Sequence, residues 1–460
     1  MFSKPRSNLQ AVPSIENPQP SSTLSTVAAD YDLLSSAEEE CKQQVFDRLL
    51  TILDLSLLDS TDISEAKNQI KNIGMQQMVE MDARFNHKDR QKILQHIEYE
   101  ILGLGPLEPL LSDPTISDIL VNGTNSVYIE RRGLLEACPI RFSSEQHLRN
   151  IIDRIVSRVG RRIDESSPLV DARLEDGSRV NVIIPPLAID GPALSIRRFA
   201  IERLTMDNLV ELGSVPKFMA PVLEAIILAK LNVLISGGTG SGKTTLLNIL
   251  SGYIPESERI VTIEDSAELQ LQQPHTVRLE SRPANIENKG EVSQRELVRN
   301  SLRMRPDRII LGEVRGSEAL DMLQAMNTGH DGSLSTIHAN TPRDALSRVE
   351  NMVAMTGINF PTKALRAQVA SAIHVILQIQ RHEDGRRRLV SVQEVNGMEG
   401  DIITMSELFN YERQGMDDAG GVVGKFRATG IVPSFFPSLK QRGIGLPIEV
   451  FSNEQRRGDD

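Results

Sequence analysis

The chain has 460 residues, of which 40% are hydrophobic and 25% charged, a composition typical of a soluble globular protein with two or three domains. Its net charge is -11, so the chain as a whole lacks the excess of basic residues that is typical of a dedicated nucleic-acid binder, although a pore can still be locally basic. The two cysteines, Cys41 and Cys138, lie far apart, which argues against a disulfide framework or a four-cysteine zinc site and fits a reducing, cytoplasmic setting. No apolar segment is long enough to cross a bilayer, so we expect membrane association through partners only.

The N-terminal part of the chain reads as a tail followed by helices. Residues 1–30 are rich in Ser and Pro and are predicted to be disordered. Residues 31–104 carry apolar residues at spacings of three and four, which predicts two or three helices with interruptions near Ser60 and Gly74.

Strand and helix signals are mixed in the next part. Residues 105–203 contain the strand patterns "ISDILVNG", "SRVNVIIPP" and "ALSIRRFA", a hairpin that turns near Arg132 and Gly133, and the amphipathic helix "EQHLRNIIDRIVSRVG". This region is therefore predicted to be an α+β domain. The segment 204–214 is short and polar enough to be a linker between this domain and the next.

From residue 215 to 460 strand and helix signals alternate, which predicts an α/β domain with a mostly parallel sheet covered by helices. Near its end, "HVILQIQRH" and "RRLVSVQEVN" look like antiparallel strands. The dense basic run from Arg386 to Arg388 is interpreted as part of their hairpin turn.

The segment "GGTGSGKTT" matches the phosphate-loop pattern G-x-x-x-x-G-K-[ST] from Gly237 to Thr244, between an apolar strand and a helical stretch. The glycines let successive backbone N–H groups turn towards phosphates, Lys243 adds a cation, and the Thr244 hydroxyl can ligate Mg²⁺. The GTPase signature N-K-x-D is absent, because "NKGE" lacks the aspartate, and this favours ATP. The predicted nucleotide-binding residues are Gly238, Thr239, Gly240, Ser241, Gly242, Lys243, Thr244 and Thr245.

Two later strands end in acids: "RIVTIEDSAEL" carries Glu264 and "RIILGEVRG" carries Glu313. Ligands bind beyond the carboxyl ends of strands in α/β sheets, so both acids should face the nucleotide. One acid is needed for Mg²⁺, for which Glu313 and Thr244 are the candidate ligands, and another to polarise the attacking water. The sequence does not settle which glutamate has which role, and Asp265 and Glu268 fit a salt-bridging role almost as well.

A histidine follows a third strand of the same kind. "GSLSTIH" places His338 at a carboxyl end, where an imidazole can donate a hydrogen bond to the γ-phosphate or to Glu313 and so detect the third phosphate. His330, at the entrance of that strand, is a weaker candidate for the same role.

Taken in order, "GGTGSGKTT", "TIEDSAEL", "RPDRIILGEVRG" and "TGHDGSLSTIHANT" resemble the Walker A, Asp box, Walker B and His box of the type II/type IV secretion ATPase superfamily. "GLGPLEPLLSDPTISDILVNG", "GRRIDESSPLVDARLEDGSRVNVIIPP" and "FRATGIVP" resemble the CpaF/TadA branch, which drives Flp pili and tight-adherence secretion. The resemblance departs at Ser266, where the Asp box commonly has a proline.

The resemblance implies a RecA-like P-loop ATPase domain, an α+β (PAS-like) N-terminal domain and an N-terminal helical segment. It also implies a homohexamer that uses ATP and Mg²⁺ at the inner face of the cytoplasmic membrane and acts on inner-membrane pilus platform proteins. Arginines of the N-terminal domain reach the phosphates in such motors, and Arg179 and Arg197, with Arg173 behind them, are the best matches here. The expected activity is ATP hydrolysis that powers pilus assembly, with retraction left open.

Two alternatives remain at this stage. A nucleic-acid translocase on the same core would need basic loops facing a pore, and no nucleic-acid partner is expected. A small-molecule kinase or a nucleotide-dependent scaffold is the other, although a scaffold would not require paired acids and a sensor histidine.

Overall fold

The computed structural model describes residues 31–452, apart from 32, 53–61, 82–83, 132, 199–203, 283, 285–288 and 359. The chain forms two compact units, Met1–Arg198 and Phe199–Asp460. The predicted disordered tail, 1–30, and the break predicted near Ser60 lie outside the described residues.

Within the described residues, the first unit starts with three packed helices, α1 (Ser36–Ile52), α2 (Ile63–Glu80) and α3 (His87–Leu102). Their shared core consists of Cys41, Val45, Leu49, Ile70, Met78, Ile93, Leu94 and Ile97. The interruption predicted near Gly74 is wrong, because Gly74 lies inside α2. A Cβ atom there would lie 2.5 Å from Leu94 Cδ2, so the glycine allows close helix packing rather than a break.

The rest of the first unit is a six-stranded sheet with the order β3–β2–β1–β6–β5–β4, in which neighbouring strands are antiparallel. The strands are β1 (Ile116–Asn122), β2 (Ser126–Arg131), β3 (Leu134–Cys138), β4 (Leu169–Arg173), β5 (Arg179–Ile183) and β6 (Ala193–Arg197). A short helix, α4 (Glu108–Ser112), precedes them, and α5 (Glu145–Arg158) packs its apolar side into the same core as the strands. The predicted α+β composition is confirmed.

The second unit contains a nine-stranded sheet with the order β15–β14–β13–β12–β7–β11–β10–β8–β9. Its parallel part consists of β7 (Val233–Gly237), β8 (Ile260–Glu264), β9 (Thr276–Glu280), β10 (Arg308–Val314), β11 (Leu334–Ile337) and β12 (Val375–Arg381). Strands β7, β8 and β11 are buried at every position, which explains their continuous apolar sequences and confirms the predicted parallel sheet.

Helices surround this sheet, and an antiparallel extension continues it. The helices are α6 (Met206–Glu211), α7 (Ala220–Leu228), α8 (Lys243–Ser251), α9 (Gln294–Ser301), α10 (Glu318–Asn327), α11 (Pro342–Ala354), α12 (Thr362–Ala372) and α13 (Phe436–Gln441). The extension consists of β13 (Arg387–Glu399), β14 (Ile402–Met416) and β15 (Val422–Ala428). Strands β12 and β13 form the predicted antiparallel hairpin, and β12 also pairs in parallel with β7. The prediction that Arg387 and Arg388 lie in the turn is wrong, because both belong to β13 and the turn precedes them.

The segment predicted as a linker, 204–214, belongs to the second unit. It contains α6, and its apolar residues Met206 and Leu209 are buried in that unit's core. The helix is fixed by a capping box in which Thr205 and Asn208 bond each other's backbone N–H. The predicted end of the α+β domain at residue 203 falls outside the described residues.

Two further sequence features are visible in the structure. Cys41 and Cys138 are free, buried thiols. Among the described residues, no helix combines the length and the apolar character that a membrane span requires.

Candidate functional site

The phosphate loop connects the buried strand β7 to the first turn of α8. Gly240 and Gly242 have φ values of 66° and 97°, in the left-handed region that favours glycine. Gly237 is also required sterically, because a Cβ atom there would lie 2.4 Å from the carbonyl oxygen of Ile379. The loop therefore runs into a helix N-terminus, whose unpaired N–H groups favour anions.

Lys243 is held at the loop by two backbone carbonyl groups. Its Nζ donates to the oxygen atoms of Gly237 at 3.1 Å and Gly238 at 2.9 Å, and Ser241 Oγ also donates to Gly238 O. A phosphate group would replace these weak neutral acceptors with a charged one. Lys243, Thr244 and Thr245 are partly exposed at the start of α8, as a ligand at this position requires.

Glu264 and Glu313 lie on neighbouring parallel strands at the edge of the sheet that also carries the phosphate loop. Strand β10 pairs with β8, and Leu311 is opposite Ile263, one residue before Glu264. Gly312 makes room for the first acid, because a Cβ atom there would lie 2.8 Å from Glu264 Cγ.

Glu264 is a buried carboxyl group whose two oxygen atoms differ in their hydrogen bonds. Its Oε1 accepts hydrogen bonds from the N–H groups of Glu268 at 2.8 Å and Leu269 at 2.9 Å. Its Oε2 is buried and has no hydrogen-bond partner among the described residues. Burial raises the pKa of Glu264 from 4.5 to about 7, against the opposing effect of the two N–H groups. Such a group can hold or release a proton near neutral pH.

Glu313 instead has a cationic partner, Arg315, which the sequence analysis missed. Arg315 Nε and Nη2 donate to Glu313 Oε2 at 2.8 and 2.6 Å. Arg315 Nη1 also lies 3.6 Å from Asp265 Oδ2, so the arginine connects the ends of β10 and β8. The salt-bridging interpretation of Asp265 therefore fits the structure. The only sequence signal for Arg315 was its position two residues after the strand-end glutamate.

His338 directly follows β11, the strand between β7 and β10. Ile337 is opposite Ser236 on one side and Val314 on the other, and Thr336 Oγ1 donates to Gly312 O at 2.6 Å. The histidine is partly exposed at the edge that carries the phosphate loop and Glu313.

His330 precedes β11 and so lies at the opposite, amino end of that strand. Its Nδ1 is buried without a hydrogen-bond partner in the part of the chain that the structure describes. His330 does not suit the weaker phosphate-sensing role considered for it, because the phosphate loop follows the carboxyl end of the parallel strand β7.

Arg179 and Arg197 belong to the first unit and are directly opposite each other on β5 and β6. Arg173, on β4, is opposite Arg179, so the three arginines form one cross-strand row. On the other side of the row, Arg197 Nε lies 3.2 Å from Asp118 Oδ1.

A magnesium ion is implied by the phosphate loop, and the protein residues fit such an ion only together with phosphate. No group of three or more His, Cys, Asp or Glu side chains that could hold a metal occurs in the described ranges. Mg²⁺ typically uses one or two protein ligands, water and the phosphates of its nucleotide. Thr244 and Glu313 provide a hydroxyl and a carboxylate of that kind.

Known proteins are similar to this chain in sequence. The family model described as "Type II/IV secretion system protein" matches residues 100–413. A Mycobacterium tuberculosis protein provisionally named as a conjugal transfer protein is 39% identical over 335 residues, which cover 72% of this chain and 94% of the relative. Conjugal transfer protein TrbB of Rhizobium radiobacter is 33% identical over 296 residues, covering 63% of this chain and 86% of TrbB.

Among solved structures, the VirB11 ATPase from the Brucella suis type IV secretion system is similar to this chain. The two are 28% identical, with a TM-score of 0.34, and the match covers 63% of this chain and 95% of the VirB11 chain.

Proposed function

Because this chain belongs to the family of type II/IV secretion system proteins and is an ATPase, we propose that it is the hexameric motor of a pilus or secretion machine. ATP hydrolysis would power assembly of Flp or other type IV-like pili, or tight-adherence secretion, through an inner-membrane platform. The proposal covers a motor that only assembles the pilus and a motor that also retracts it.

One observation carries the proposal: the sheet edge with the phosphate loop also carries the buried carboxyl group of Glu264, whose Oε2 has no hydrogen-bond partner among the described residues. A protein that only binds nucleotide does not need a buried acid with a pKa near 7 at this place. Hydrolysis does, because the attacking water must be oriented and must lose a proton. The arrangement therefore favours an enzyme that hydrolyses ATP over a scaffold that only binds nucleotide.

We assign the residues as follows within this proposal. Glu264 polarises the attacking water, since its free oxygen can accept a hydrogen bond from it. Glu313, oriented by Arg315, and Thr244 would hold Mg²⁺, which when bound neutralises phosphate charge. His338 donates a hydrogen bond to the γ-phosphate or to Glu313 and so distinguishes ATP from ADP.

The arginine row Arg173–Arg179–Arg197 is proposed to reach the phosphates of a bound nucleotide. Three arginines opposite one another on neighbouring strands suit an anion, because each guanidinium group offers several N–H donors and a permanent charge. In this proposal the first unit contains the PAS-like N-terminal domain of such a motor, and the second unit is its RecA-like ATPase domain.

We further propose that the motor works in the cytoplasm at the inner face of the membrane, where platform proteins recruit it. The chain is acidic overall, with a net charge of -11. This charge suits recruitment by a protein better than recruitment by an anionic lipid surface.

Transport linked to nucleic acid is the second candidate, and the names of two relatives, which are conjugal transfer proteins, favour it. The basic run at residues 386–388 gives it little support. Arg388 is buried under Tyr411 and Arg387 contacts the phosphate loop, so only Arg386 of the three is exposed.

The test is to measure the mass and the ATPase rate of the full chain, wild type and Glu313→Gln, with and without DNA. We expect a hexamer whose turnover collapses in the variant and does not respond to DNA. A monomer without turnover, even in the presence of the membrane platform proteins, would contradict the motor. Turnover stimulated severalfold by DNA would favour the second candidate instead.

A further inference from the structure

The hairpin between β12 and β13 extends to the phosphate loop. Arg381 ends β12, Arg387 begins β13, and the two are opposite each other in the register. Arg387 Nε donates to the carbonyl oxygen of Gly240, in the middle of the loop, at 2.9 Å. No sequence motif indicated this contact, which joins residues far apart in the chain.

Both arginines lie tightly against glycines of the loop. A Cβ atom at Gly240 would be 3.1 Å from Arg381 Nη1, and one at Gly242 would be 3.3 Å from Arg387 Cδ. Both glycines also have positive φ values. Side chains at these positions would therefore disturb the hairpin as well as the loop backbone.

The tip of the hairpin is fixed from its other side by Asp384. Its carboxylate accepts the N–H groups of Arg386 at 3.0 Å and Val422 at 2.9 Å, and lies 3.5 Å from Arg388 Nη2. The Arg388 guanidinium lies 5.2 Å from the centre of the Tyr411 ring.

Arg388 Nη2 also donates to the carbonyl oxygen of Val422 at 3.0 Å. These contacts attach the hairpin tip to β14 and β15. Consecutive residues of a strand point to opposite faces, so Arg388 anchors the hairpin while Arg387 is directed towards the loop.

The bond from Arg387 has a geometric consequence for phosphate binding. In a planar trans peptide the C=O group and the following N–H group point in opposite directions. Because Arg387 holds the Gly240 carbonyl group, the N–H group of Ser241 must point to the side away from Arg387. Phosphate loops bind their anion through backbone N–H groups that all point inward, and a flipped peptide would remove one donor.

We propose that the β12–β13 hairpin positions the phosphate loop for nucleotide binding. Arg387 is a positioning residue that fixes the Gly240–Ser241 peptide, and Arg381 adds a second cation beside the same glycine. The two charges lie next to a loop that binds a polyphosphate, so they also favour the anion electrostatically. The antiparallel extension β13–β15 thereby influences nucleotide affinity.

The test is to measure binding of a fluorescent ATP analogue to the full chain, with hydrolysis rates measured in parallel. We expect Arg387→Gln to weaken binding about tenfold, equivalent to about 1.4 kcal/mol, and Arg387→Lys to lie between Gln and wild type. The matched control is Arg386→Gln, which removes the same charge from the exposed tip and should change the affinity by less than about twofold.

Melting of the nucleotide-free protein separates positioning from a purely structural role. We expect the melting temperature of Arg387→Gln to stay within about 2 °C of that of Arg386→Gln. Equal ATP affinity of the two variants would overturn the proposal, as would a large loss of melting temperature with unchanged affinity.

If Arg387→Gln does not fold, Arg381→Gln decides: weakening of at least about threefold supports the proposal, and wild-type affinity overturns it. Lys243→Ala tests the nucleotide site itself, and unchanged binding would overturn that site together with the hairpin's role. None of these measurements depends on the hexamer or on pili, so failure here is distinct from failure of the motor proposal.

Discussion

An arginine–glutamate ion pair lies at each end of strand β10, and the two pairs differ in how deeply the arginine is buried. At the amino end the Arg308 side chain is 0% exposed, and its Nε lies 2.6 Å from Glu258 Oε2. At the carboxyl end the Arg315 side chain is 60% exposed, and its Nη2 lies 2.6 Å from Glu313 Oε2. The same chemistry at nearly the same distance therefore occurs in two different dielectric environments.

The buried pair is completed by further protein atoms. Arg308 Nη1 donates to Ile227 O at 2.9 Å, and Lys230 Nζ lies 3.4 Å from Glu258 Oε2. At the carboxyl end, by contrast, the neighbouring acid Glu264 is buried, and no residue in the described part of the chain bonds its Oε2. Buried polar groups are normally satisfied, so the difference between the two acids indicates that Glu258 holds the fold together and that Glu264 is available to a ligand.

Arg308→Met should have the largest effect on stability. It leaves the Glu258 carboxylate in a buried place with only Lys230, and we expect the unfolding free energy of the second unit to fall by about 3–5 kcal/mol. Urea denaturation of the full chain, compared with that of Arg315→Met, measures the difference. The double variant Arg308→Met/Glu258→Leu should recover much of the loss, because it removes both buried charges, and Lys230, which loses Glu258, has a side chain that is 35% exposed. Equal stability of the two single variants would contradict the comparison.

Glu264→Gln should change how stability depends on pH. The pKa of Glu264 is raised above its ordinary value of 4.5, so the folded chain binds more protons than the unfolded chain between about pH 4.5 and 7. The contribution of this carboxyl group to stability is therefore fully present below about pH 4.5 and lost as the pH rises through about 7.

Relative to wild type, Glu264→Gln should gain up to about 3 kcal/mol in stability between pH 5 and pH 8. The exposed Glu211→Gln serves as the control, and denaturation at several pH values measures both. A difference between Glu264→Gln and wild type that stays constant with pH would show that Glu264 is ionised throughout.

Arg315→Gln should have the smallest effect on stability. Its side chain is mostly exposed, so we expect a loss below about 1 kcal/mol. ATP turnover should nevertheless fall about tenfold, because Glu313 loses the two hydrogen bonds that orient it. Turnover and urea denaturation of the same preparation test both statements. Unchanged turnover would mean that the pair at this end is incidental.

The sequence predicted the parallel sheet and the strand-end acids well, because both leave local patterns. Continuous apolar strands such as β7 and β11 have a clear signal, and so does the phosphate loop. The linker interpretation of 204–214 missed α6, because its polar residues conceal the two apolar side chains that pack into the core.

The partners of the site residues were not predictable from the sequence. Arg315 was missed because an exposed arginine after a strand has no distinctive pattern. Arg387 was missed because its partner, Gly240, is distant in the chain, and only the pairing of β12 with β7 brings the two together. Whether Glu264 has a free oxygen likewise depends on packing, which no spacing in the sequence encodes.

The most direct test of the account is ATP binding and single-turnover hydrolysis by Glu264→Gln beside wild type. Glutamine keeps an acceptor for the Glu268 and Leu269 N–H groups but cannot take a proton from water. We expect ATP binding to stay within about threefold of wild type and hydrolysis to slow at least about a hundredfold. Hydrolysis within about threefold of wild type would contradict the account, and Glu313 would then be the residue that polarises water.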